Sequence, residues 1–309
     1  MKFFKPKFWD KNKISLYSII LFPLSIFVKF LSFLKIFLTK TNNFKIPIIC
    51  VGNIYIGGTG KTPLCNKLFL IFKTLKKNPV FIRKKYDHIQ DEVAMQEKIG
   101  PVYQDKKRLV AINNAIKNNA DVAILDDGFQ DSSIKKDLSI VCFNEKQWLG
   151  NGLTIPSGPL RESLSALKRA HYVFINGKKN QDIEKKLLNV NQKIKIFYFK
   201  YNLKKPEKLD KNNIIAFAGI GNPINFFNLL KNNNLNIVES LDFPDHYNYS
   251  EKELESLVYK AKSENAILLT TEKDYFRINE KYRKNISFIE IDIEIDNESK
   301  FIKELEKAL

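Results

Sequence analysis

The stretch G-G-T-G-K-T-P, from Gly57 to Pro63, decides the fold that this sequence predicts. Apolar residues at 46–51 precede it and predict a strand, and residues 63–76 follow it with a helix-like pattern. A glycine-rich turn between a strand and a helix directs backbone N–H groups and the positive end of the helix dipole toward one point, which suits an anion. The sequence therefore predicts a strand, a phosphate-binding loop and a helix in that order, against the alternative of an ordinary glycine-rich turn.

The same loop predicts a nucleotide site. Lys61 has the position from which a lysine reaches the β- and γ-phosphates, and the Thr62 hydroxyl has the position of a Mg²⁺ ligand. Tyr55 stands where the full G-x-x-x-x-G-K-[ST] pattern has its first glycine, so the match is incomplete. The residues expected to contact the nucleotide are Gly57, Gly58, Thr59, Gly60, Lys61 and Thr62.

Short apolar strands alternate with helical segments along the rest of the chain, which predicts a mainly parallel sheet covered by helices on both faces. After the loop, the predicted strands are Val80–Ile82, Val122–Leu125, 138–143 and 172–175, with a helix at 107–118. Beyond a lysine-rich region at 177–210, the predicted strands are Ile214–Ala218, Ala266–Leu269 and Ile286–Ile291. We expect an N-terminal segment at 1–40, a core at 41–205 and a smaller C-terminal α/β domain at 206–309.

The composition limits the possible partners. The 309 residues carry a formal net charge of +17, but lysine is abundant throughout the chain and most lysines are expected on a solvated surface. No nucleic-acid-binding module is recognisable, so a specific nucleic-acid site is not expected. Arginine is scarce and therefore more informative, because it holds phosphate bidentately: Arg83, Arg108, Arg161, Arg169, Arg277 and Arg283. The three cysteines are widely spaced in apolar surroundings, which predicts buried, reduced thiols.

The N-terminal region predicts a membrane-associated segment. Residues 14–28 carry no charge, and the apolar character continues to Leu38, interrupted by Lys29 and Lys35. Several basic and aromatic residues precede this run, which suits an element that lies among anionic lipid headgroups: Lys2, Phe3, Phe4, Lys5, Lys7, Phe8, Trp9, Lys11 and Lys13. The uncharged run is short of the ~20 residues that a membrane span needs and contains Pro23, so we favour a monotopic anchor. A secretory signal and a buried core helix are the alternatives.

Acidic residues follow two predicted strands of the core. Asp126 and Asp127 end the strand Val122–Leu125, the position from which a carboxylate meets the Mg²⁺ of a phosphate loop. Asp91-Glu92 lies between the second strand and the helix that follows it, where a surface patch is the alternative. His246 lies in a loop-like F-P-D-H-Y run, in which a structural role is the alternative. The run Thr270–Asp274 differs in order from the guanine-binding N/T-K-x-D motif, which argues against a GTPase.

Together these segments resemble the tetraacyldisaccharide 4′-kinase family. The resemblance covers nearly the whole chain, and D-D-G-F-Q and G-P-L-R-E are highly specific in combination. The motifs that carry it are Val51–Asn53 with Gly57–Pro63, Asp91-Glu92, Asp126–Gln130, Gly150–Gly152 leading to Pro156–Glu162, Phe217–Pro223, Phe243–His246 and Thr270–Asp274. The resemblance implies a P-loop NTPase-like kinase core, a smaller C-terminal α/β domain and an N-terminal membrane-associated helix.

The resemblance also implies a reaction: transfer of the γ-phosphate of ATP to the 4′-hydroxyl of a tetraacyldisaccharide 1-phosphate, with Mg²⁺, in lipid A biosynthesis. Asp91 would be the general base or hydroxyl-orienting group, assisted by His246, and Lys61 would neutralise phosphate charge. The implied metal ligands are Thr62, Glu92, Asp126 and Asp127. The implied substrate-binding residues are Asn53, Gln130 and Arg161. The implied location is the cytoplasmic face of the inner membrane, with a lipid substrate, an anionic lipid surface and no obligate protein partner.

The sequence departs from the family pattern at two places near these motifs. Arg83-Lys84-Lys85-Tyr86 replaces the glycine turn of the usual S-R-G-Y-G, which puts any role of Arg83 in question. Asp131 stands where histidine is common after D-D-G-F-Q. Besides the lipid kinase, we consider a membrane-associated P-loop ATPase or GTPase that acts on a protein partner. Dependence of turnover on a lipid acceptor distinguishes the two hypotheses.

Overall fold

The chain forms two compact units. The computed structural model describes residues 5–11, 13–86, 90–204, 209 and 212–308. The first unit comprises the described residues within 1–85, 100–200 and 294–309, and the second unit those within 86–99 and 201–293. Lys2, Phe3 and Phe4 of the predicted membrane segment lie outside the described residues, as do 87–89 in the loop after Arg83.

The first unit contains a parallel sheet in the order β3-β2-β4-β1-β5-β6-β7. Its strands are β1 (Ile48–Gly52), β2 (Pro79–Lys84), β3 (Val102–Asp105), β4 (Val122–Asp126), β5 (Leu138–Asn144), β6 (Tyr172–Asn176) and β7 (Lys195–Lys204). Strands β1, β4 and β5 are buried along their whole length, as expected for a parallel sheet covered on both faces. The chain builds one side of the sheet after β1 and the other side from β5, and ligands bind at such a switch point.

Helices connect these strands: α1 (Leu16–Leu38), α2 (Lys61–Thr74), α3 (Gln90–Glu97), α4 (Arg108–Lys117) and α5 (Gln181–Val190). Short 3₁₀ helices cover Lys7–Asp10 and Leu164–Arg169. Helix α2 is positioned by buried apolar residues such as Leu64, Leu68 and Phe72 on one face. The predicted helix at 63–76 and the predicted strands of the core agree with these elements to within a few residues. The mainly parallel α/β fold is confirmed.

The second unit has its own parallel sheet, in the order β11-β10-β8-β9. Its strands are β8 (Asn213–Ala218), β9 (Ile237–Asp242), β10 (Ala266–Thr271) and β11 (Ser287–Ile295). The helices from this part of the chain onward are α6 (Pro223–Asn232), α7 (Glu251–Ser263), α8 (Glu272–Arg277), α9 (Glu280–Arg283) and α10 (Glu298–Ala308). Ser250 and Glu253 form a capping box that fixes the start of α7.

The two units are not contiguous along the chain, unlike the division at residue 205 that the sequence suggested. Helix α3 belongs to the second unit because its acidic residues pair with α8: Asp91 with Arg277 and Glu92 with Lys273. Helix α10 belongs to the first unit because the Phe301 ring packs against aromatic rings of β6 and β7, with a centroid distance of 4.8 Å to Phe174. The lysine-rich region 177–210 contains α5 and β7, whose lysines lie on their exposed sides.

Helix α1 is apolar and largely exposed. It runs through Pro23 for 23 residues, which is longer than the uncharged run on which the sequence analysis relied. By length and composition it could cross a membrane, and only 6% of its most apolar window is buried. The alternative of a buried core helix is therefore wrong. The three cysteines are buried and free, as predicted.

Candidate active site

The phosphate loop has backbone conformations that only glycine adopts without strain. Gly57, Gly58 and Gly60 have φ angles of 71°, 62° and 89°. Helix α2 begins directly after Gly60, so Lys61 and the buried Thr62 lie in its first turn. The N-terminal N–H groups of a helix lack intrahelical partners and favour an anion. The loop therefore has the geometry of a phosphate site at the carboxyl end of β1.

Asn53 lies beneath this loop and is fully buried. Its side-chain Nδ2 donates to the hydroxyl of Thr59 at 3.0 Å, and the side-chain Nε2 of Gln130 donates to its carbonyl at 2.8 Å. A Cβ on the neighbouring Gly52 would lie 2.4 Å from the Cβ of Phe129, so the D-D-G-F-Q segment packs directly on the end of β1. The sequence analysis assigned Asn53 and Gln130 to substrate binding. Burial of Asn53 instead favours a role in holding the loop.

Tyr55, at the position of the missing glycine, joins the loop to the N-terminal segment. Its hydroxyl donates to Asp10 at 2.6 Å, and the ammonium of Lys5 donates to that hydroxyl at 2.6 Å. Burial, followed by the hydrogen bond to Asp10, raises the pKa of Tyr55 well above its usual range. The hydroxyl therefore stays protonated and keeps its donor. Tyrosine thus takes over a structural function at a position where the usual pattern has glycine.

Asp126 and Asp127 end β4, level with the end of β1. The parallel register pairs Val51 with Asp126, which brings both carboxylates to the edge of the sheet from which the phosphate loop starts. Asp126 is buried and accepts from the guanidinium of Arg83 at 2.7 Å. Arg83, whose role the sequence left in question, is therefore the buried counter-ion of a predicted metal ligand.

Asp127 faces two positive side chains of the loop region. One guanidinium nitrogen of Arg161 donates to both of its carboxylate oxygens, at 2.8 and 3.0 Å, and the ammonium of Lys61 lies 3.6 Å away. Burial would raise the pKa of Asp127, but Lys61 and Arg161 outweigh burial and lower it to about 2. Asp127 is therefore ionised at neutral pH. Its φ of 57° turns the chain immediately after β4.

A second buried arginine supports the same corner. Arg108 donates to the carbonyl of Asp127 at 2.8 Å and to the carboxylate of Asp131 at 3.1 Å. Burial opposes ionisation of Asp131, but its hydrogen bonds with Ser133 and the charge of Arg108 hold its pKa below the usual value. Asp131, at a position where the family often has histidine, thus makes a charge pair that fixes the turn after β4.

The oxygen donors near the loop fit Mg²⁺. This ion takes few protein ligands and completes its shell with water and substrate phosphate. The Thr62 hydroxyl and the carboxylates of Asp126 and Asp127 are hard oxygen donors of that kind. Among the residues that the structure describes, no group of three or more His, Cys, Asp or Glu side chains forms a closed metal cage. The donor set therefore suits a metal bound together with a nucleotide.

Gln147 is a further polar side chain next to the phosphate loop. A Cβ on Gly58 would lie 3.4 Å from its Oε1 and 3.5 Å from its Nε2. Oε1 is buried and has no hydrogen-bond partner among the described residues. The sequence analysis missed Gln147, because its segment between β5 and the Gly150–Gly152 motif has no recognisable pattern.

The second unit holds Asp91 in an arginine network. The Nε and Nη2 of Arg277 donate to one oxygen of Asp91, at 3.0 and 2.7 Å, and Nη1 donates to Asp274 at 3.0 Å and to the carbonyl of Gly219 at 2.9 Å. Asp91 is 5% exposed, and its second oxygen is buried without a hydrogen-bond partner in the described part of the chain. The carboxylate is therefore fixed in position by one charged partner.

The T-T-E-K-D run forms the base of this network. Thr271 caps α8 and donates its hydroxyl to Asp274 at 2.6 Å, and the N–H of Gly219 and the hydroxyl of Tyr249 donate to the same carboxylate at 3.0 Å. Burial raises the pKa of Asp274, while Arg277 opposes the shift. The run thus supports Arg277, a function unlike that of a guanine-binding motif.

His246 lies in the same unit, after β9. Its backbone has a φ of 55°, and its N–H donates to the carbonyl of Gly219 at 3.0 Å. That carbonyl also accepts from Arg277, so the backbone of His246 and the partner of Asp91 share one acceptor. The imidazole Nε2 lies 3.9 Å from a carboxylate oxygen of Asp245, a partly exposed pair. The structure thus places Asp91, Glu92 and His246 together in the second unit.

The chain matches the family model described as tetraacyldisaccharide-1-P 4′-kinase over residues 17–92 and 80–309. A tetraacyldisaccharide 4′-kinase of Pelagibacter ubique is 43% identical over 99% of this chain and 98% of the relative. One of Rickettsia bellii is 37% identical over 91% of each chain. The chain belongs to the tetraacyldisaccharide 4′-kinase family.

A solved structure of this kinase family supports the fold. The "apo" form of LpxK from Aquifex aeolicus in complex with ATP has a TM-score of 0.74, covers 95% of this chain and 99% of its own, and is 23% identical. At that identity the likeness concerns the fold alone. The pairings of Arg83, Arg108 and Arg277 were not predicted, although the scarcity of arginine was a signal that could have drawn attention to these residues.

Proposed function

We propose that this kinase transfers the γ-phosphate of ATP to the 4′-hydroxyl of a tetraacyldisaccharide 1-phosphate. One observation carries the proposal: a phosphate loop with three left-handed glycines precedes α2, and its Lys61 is 3.6 Å from Asp127 at the end of β4. Family membership supports the lipid acceptor over the alternative of a P-loop ATPase or GTPase with a protein partner. The proposal includes neither a specific nucleic-acid ligand nor an obligate protein partner.

The first unit binds ATP in this proposal. The N–H groups from Gly57 to Thr62 and the ammonium of Lys61 bind the phosphates, and Lys61 offsets the charge that develops on the transferred group. Thr62, Asp126 and Asp127 would hold Mg²⁺, which would neutralise phosphate charge. Arg161, held by Asp127 in the structure, has the charge and geometry to bind phosphate or the acceptor.

The second unit supplies the group that receives the proton of the acceptor hydroxyl. Asp91 orients the 4′-hydroxyl and accepts its proton, with Glu92 serving the metal or its waters and His246 assisting Asp91. An aspartate is a weak base, but in a loose transition state the nucleophile loses its proton late. Arg277 keeps the Asp91 carboxylate in one orientation, which lowers the cost of positioning at each turnover.

The exposed apolar surface of α1 supports a membrane location. Its exposed side chains include Phe22, Phe27, Phe30, Phe33 and Phe37, an apolar surface that water does not favour. We propose that α1 lies in the headgroup layer of the cytoplasmic face of the inner membrane, beside anionic lipid. An acceptor with four acyl chains can then stay embedded in the bilayer while its sugar reaches the enzyme.

The test is transfer of labelled γ-phosphate from ATP to tetraacyldisaccharide 1-phosphate in detergent micelles. We expect a labelled bisphosphorylated lipid with the full chain and none with Lys61→Ala. Lys67→Ala is a matched control. Lys67 lies on the same helix as Lys61, but its ammonium pairs with Glu298 at a distance of 2.9 Å and does not belong to the loop. ATP hydrolysis that is independent of the lipid, without labelled lipid, would instead support the partner-driven ATPase.

A further inference from the structure

The buried residues of helix α1 are polar rather than apolar. Ser18 and Ser25 are its buried residues, with exposed fractions of 0% and 3%, whereas its large apolar side chains face outward. A spacing of seven residues is about two helical turns, so both serines lie on one face. An ordinary surface helix buries an apolar stripe. In this helix, by contrast, the two buried side chains carry hydroxyl groups.

Ser25 is hydrogen-bonded to the segment 150–161. Its hydroxyl lies 2.9 Å from the carbonyl of Thr154 and 2.8 Å from the hydroxyl of Ser157, and it accepts from the N–H of Ser157 at 3.0 Å. A serine hydroxyl has one proton and two lone pairs. When Ser25 donates to Thr154, it accepts from both groups of Ser157, and its capacity is filled. Ser157 is fully buried, so this contact excludes water.

Ser18 and Trp9 contact the same segment. The Nδ2 of Asn151 donates to the hydroxyl of Ser18 at 3.1 Å and to the carbonyl of Ser157 at 2.9 Å. The indole N–H of Trp9 donates to the carbonyl of Pro156 at 3.1 Å. Three points of the N-terminal region thus fix the conformation of residues 150–157.

The other end of this segment carries Arg161 and is tied to the phosphate loop. The N–H of Arg161 donates to the carbonyl of Ile54 at 2.7 Å, and the N–H of Ile56 donates to the carbonyl of Pro159 at 3.0 Å. Between these bonds, Leu160 forms a β-bridge with Tyr55. Ser25 is therefore connected by consecutive hydrogen-bonded backbone to the guanidinium that contacts Asp127.

We propose that Ser25 is a positioning residue for phosphoryl transfer. It fixes the segment 150–161 so that Arg161 has its working geometry. Catalysis then requires contact between α1 and this segment, independently of any attachment of α1 to a membrane. The inference rests on the proposed function, because it takes Arg161 as part of the kinase site.

The first experiment compares Ser25→Ala with Ser32→Ala, an exposed serine of the same helix. In mixed micelles, we expect Ser25→Ala to lower kcat about tenfold, the scale of a small misplacement of a catalytic group. The KM for the lipid and co-sedimentation with anionic vesicles should stay at the wild-type value for both variants. A fall in vesicle binding that accounts for the lost activity would overturn the proposal, as would a wild-type kcat for Ser25→Ala.

A double-mutant cycle tests whether the effect passes through Arg161. If it does, Ser25→Ala/Arg161→Ala has the kcat of Arg161→Ala alone. Losses that multiply would show that the two residues act independently and would contradict the proposal. Ser157→Ala removes only the hydroxyl–hydroxyl bond and leaves the other two hydrogen bonds of Ser25, so it should lower kcat in the same direction by a smaller factor, which keeps the test decisive if Ser25→Ala folds poorly.

Hydrogen exchange provides a readout that does not depend on kinase activity. In a peptide covering 153–162 of the full chain, we expect faster exchange of the Arg161 amide in Ser25→Ala and unchanged exchange in Ser32→Ala. If the wild-type chain transfers no phosphate yet exchange responds in this way, the proposed function fails while the connection stands. If the wild-type chain is an active kinase and Ser25→Ala changes neither kcat nor exchange, the positioning role is refuted.

Discussion

Replacing Arg277 by methionine removes the guanidinium that donates to Asp91 in the network described above. Arg277 donates twice to Asp91 and once each to Asp274 and Gly219, and the side chains of Asp91 and Asp274 are 2% and 0% exposed. Breaking a buried ion pair by removing one partner costs about 3–5 kcal/mol, because an uncompensated charge stays buried. We expect Arg277→Met to destabilise the second unit by about 4 kcal/mol.

The effect of Asp91→Asn should be smaller. Arg277 then keeps Asp274 and the carbonyl of Gly219, and the loss is one hydrogen-bonded charge pair, about 2 kcal/mol. In the double variant the pair is already lost with Arg277, so Asp91→Asn adds no further cost. The double variant should lose about 4 kcal/mol, which gives a coupling energy of about 2 kcal/mol.

The assay is hydrogen exchange of peptides from β10 and α8, measured in increasing urea. Tryptophan fluorescence does not report on this unit, because Trp9 and Trp148, the two tryptophans of the chain, lie in the first unit. Arg283→Met is the matched control, since Arg283 donates mainly to backbone carbonyls such as those of Phe276 and Ile278. Losses that add within about 0.5 kcal/mol in the double variant would refute the reasoning.

Asp91→Ala should lower kcat far more than it raises either KM, because a proton acceptor acts in the transition state; nearly intact steady-state activity would make the assignment wrong. Replacing Phe33 and Phe37 together by serine should weaken binding to anionic vesicles at least tenfold, since each exposed ring loses its apolar transfer energy; unchanged co-sedimentation would contradict the anchor. Gly58→Ala should weaken ATP affinity about tenfold by equilibrium titration, because its φ of 62° is strained for alanine; wild-type affinity would show that the loop relaxes freely. The buried thiols should resist alkylation at pH 8 in the folded protein and react in urea, because burial raises the pKa of Cys50 to about 12; rapid labelling of folded protein, read by mass spectrometry, would contradict this.

Local patterns predicted the elements that build the phosphate site. The alternation of apolar strands with helices predicted the parallel sheet. The glycine loop predicted where β1 ends, and the acidic residues after Leu125 predicted where β4 ends. These features depend on residues close in sequence and on a fixed strand period. By contrast, β7 was missed because exposed lysines on both sides of Phe197–Phe199 in sequence interrupt the apolar pattern.

Contacts between distant residues could not be predicted from one sequence. The pairing of Asp91 with Arg277 spans 186 residues, and nothing near either residue specifies the other. The interpretation of Arg83 depended on the loss of neighbouring glycines, yet its pairing with Asp126 depends on the adjacent strands β2 and β4. The assignment of Asn53 to substrate binding depended on its motif, whereas the structure buries this residue and lets its side chain donate to Thr59 of the loop.

The position of α10 has a consequence for the order of events during synthesis. Phe301 and Leu305 are fully buried, so the first unit lacks part of its core until α10 has left the ribosome. Helix α1 leaves it first, and at about 5–20 residues per second the interval between them is on the order of tens of seconds. An apolar helix is thus available to a lipid surface long before the core of the first unit is complete. If α1 is the anchor that we propose, the nascent chain can reach a membrane before this unit has its full core.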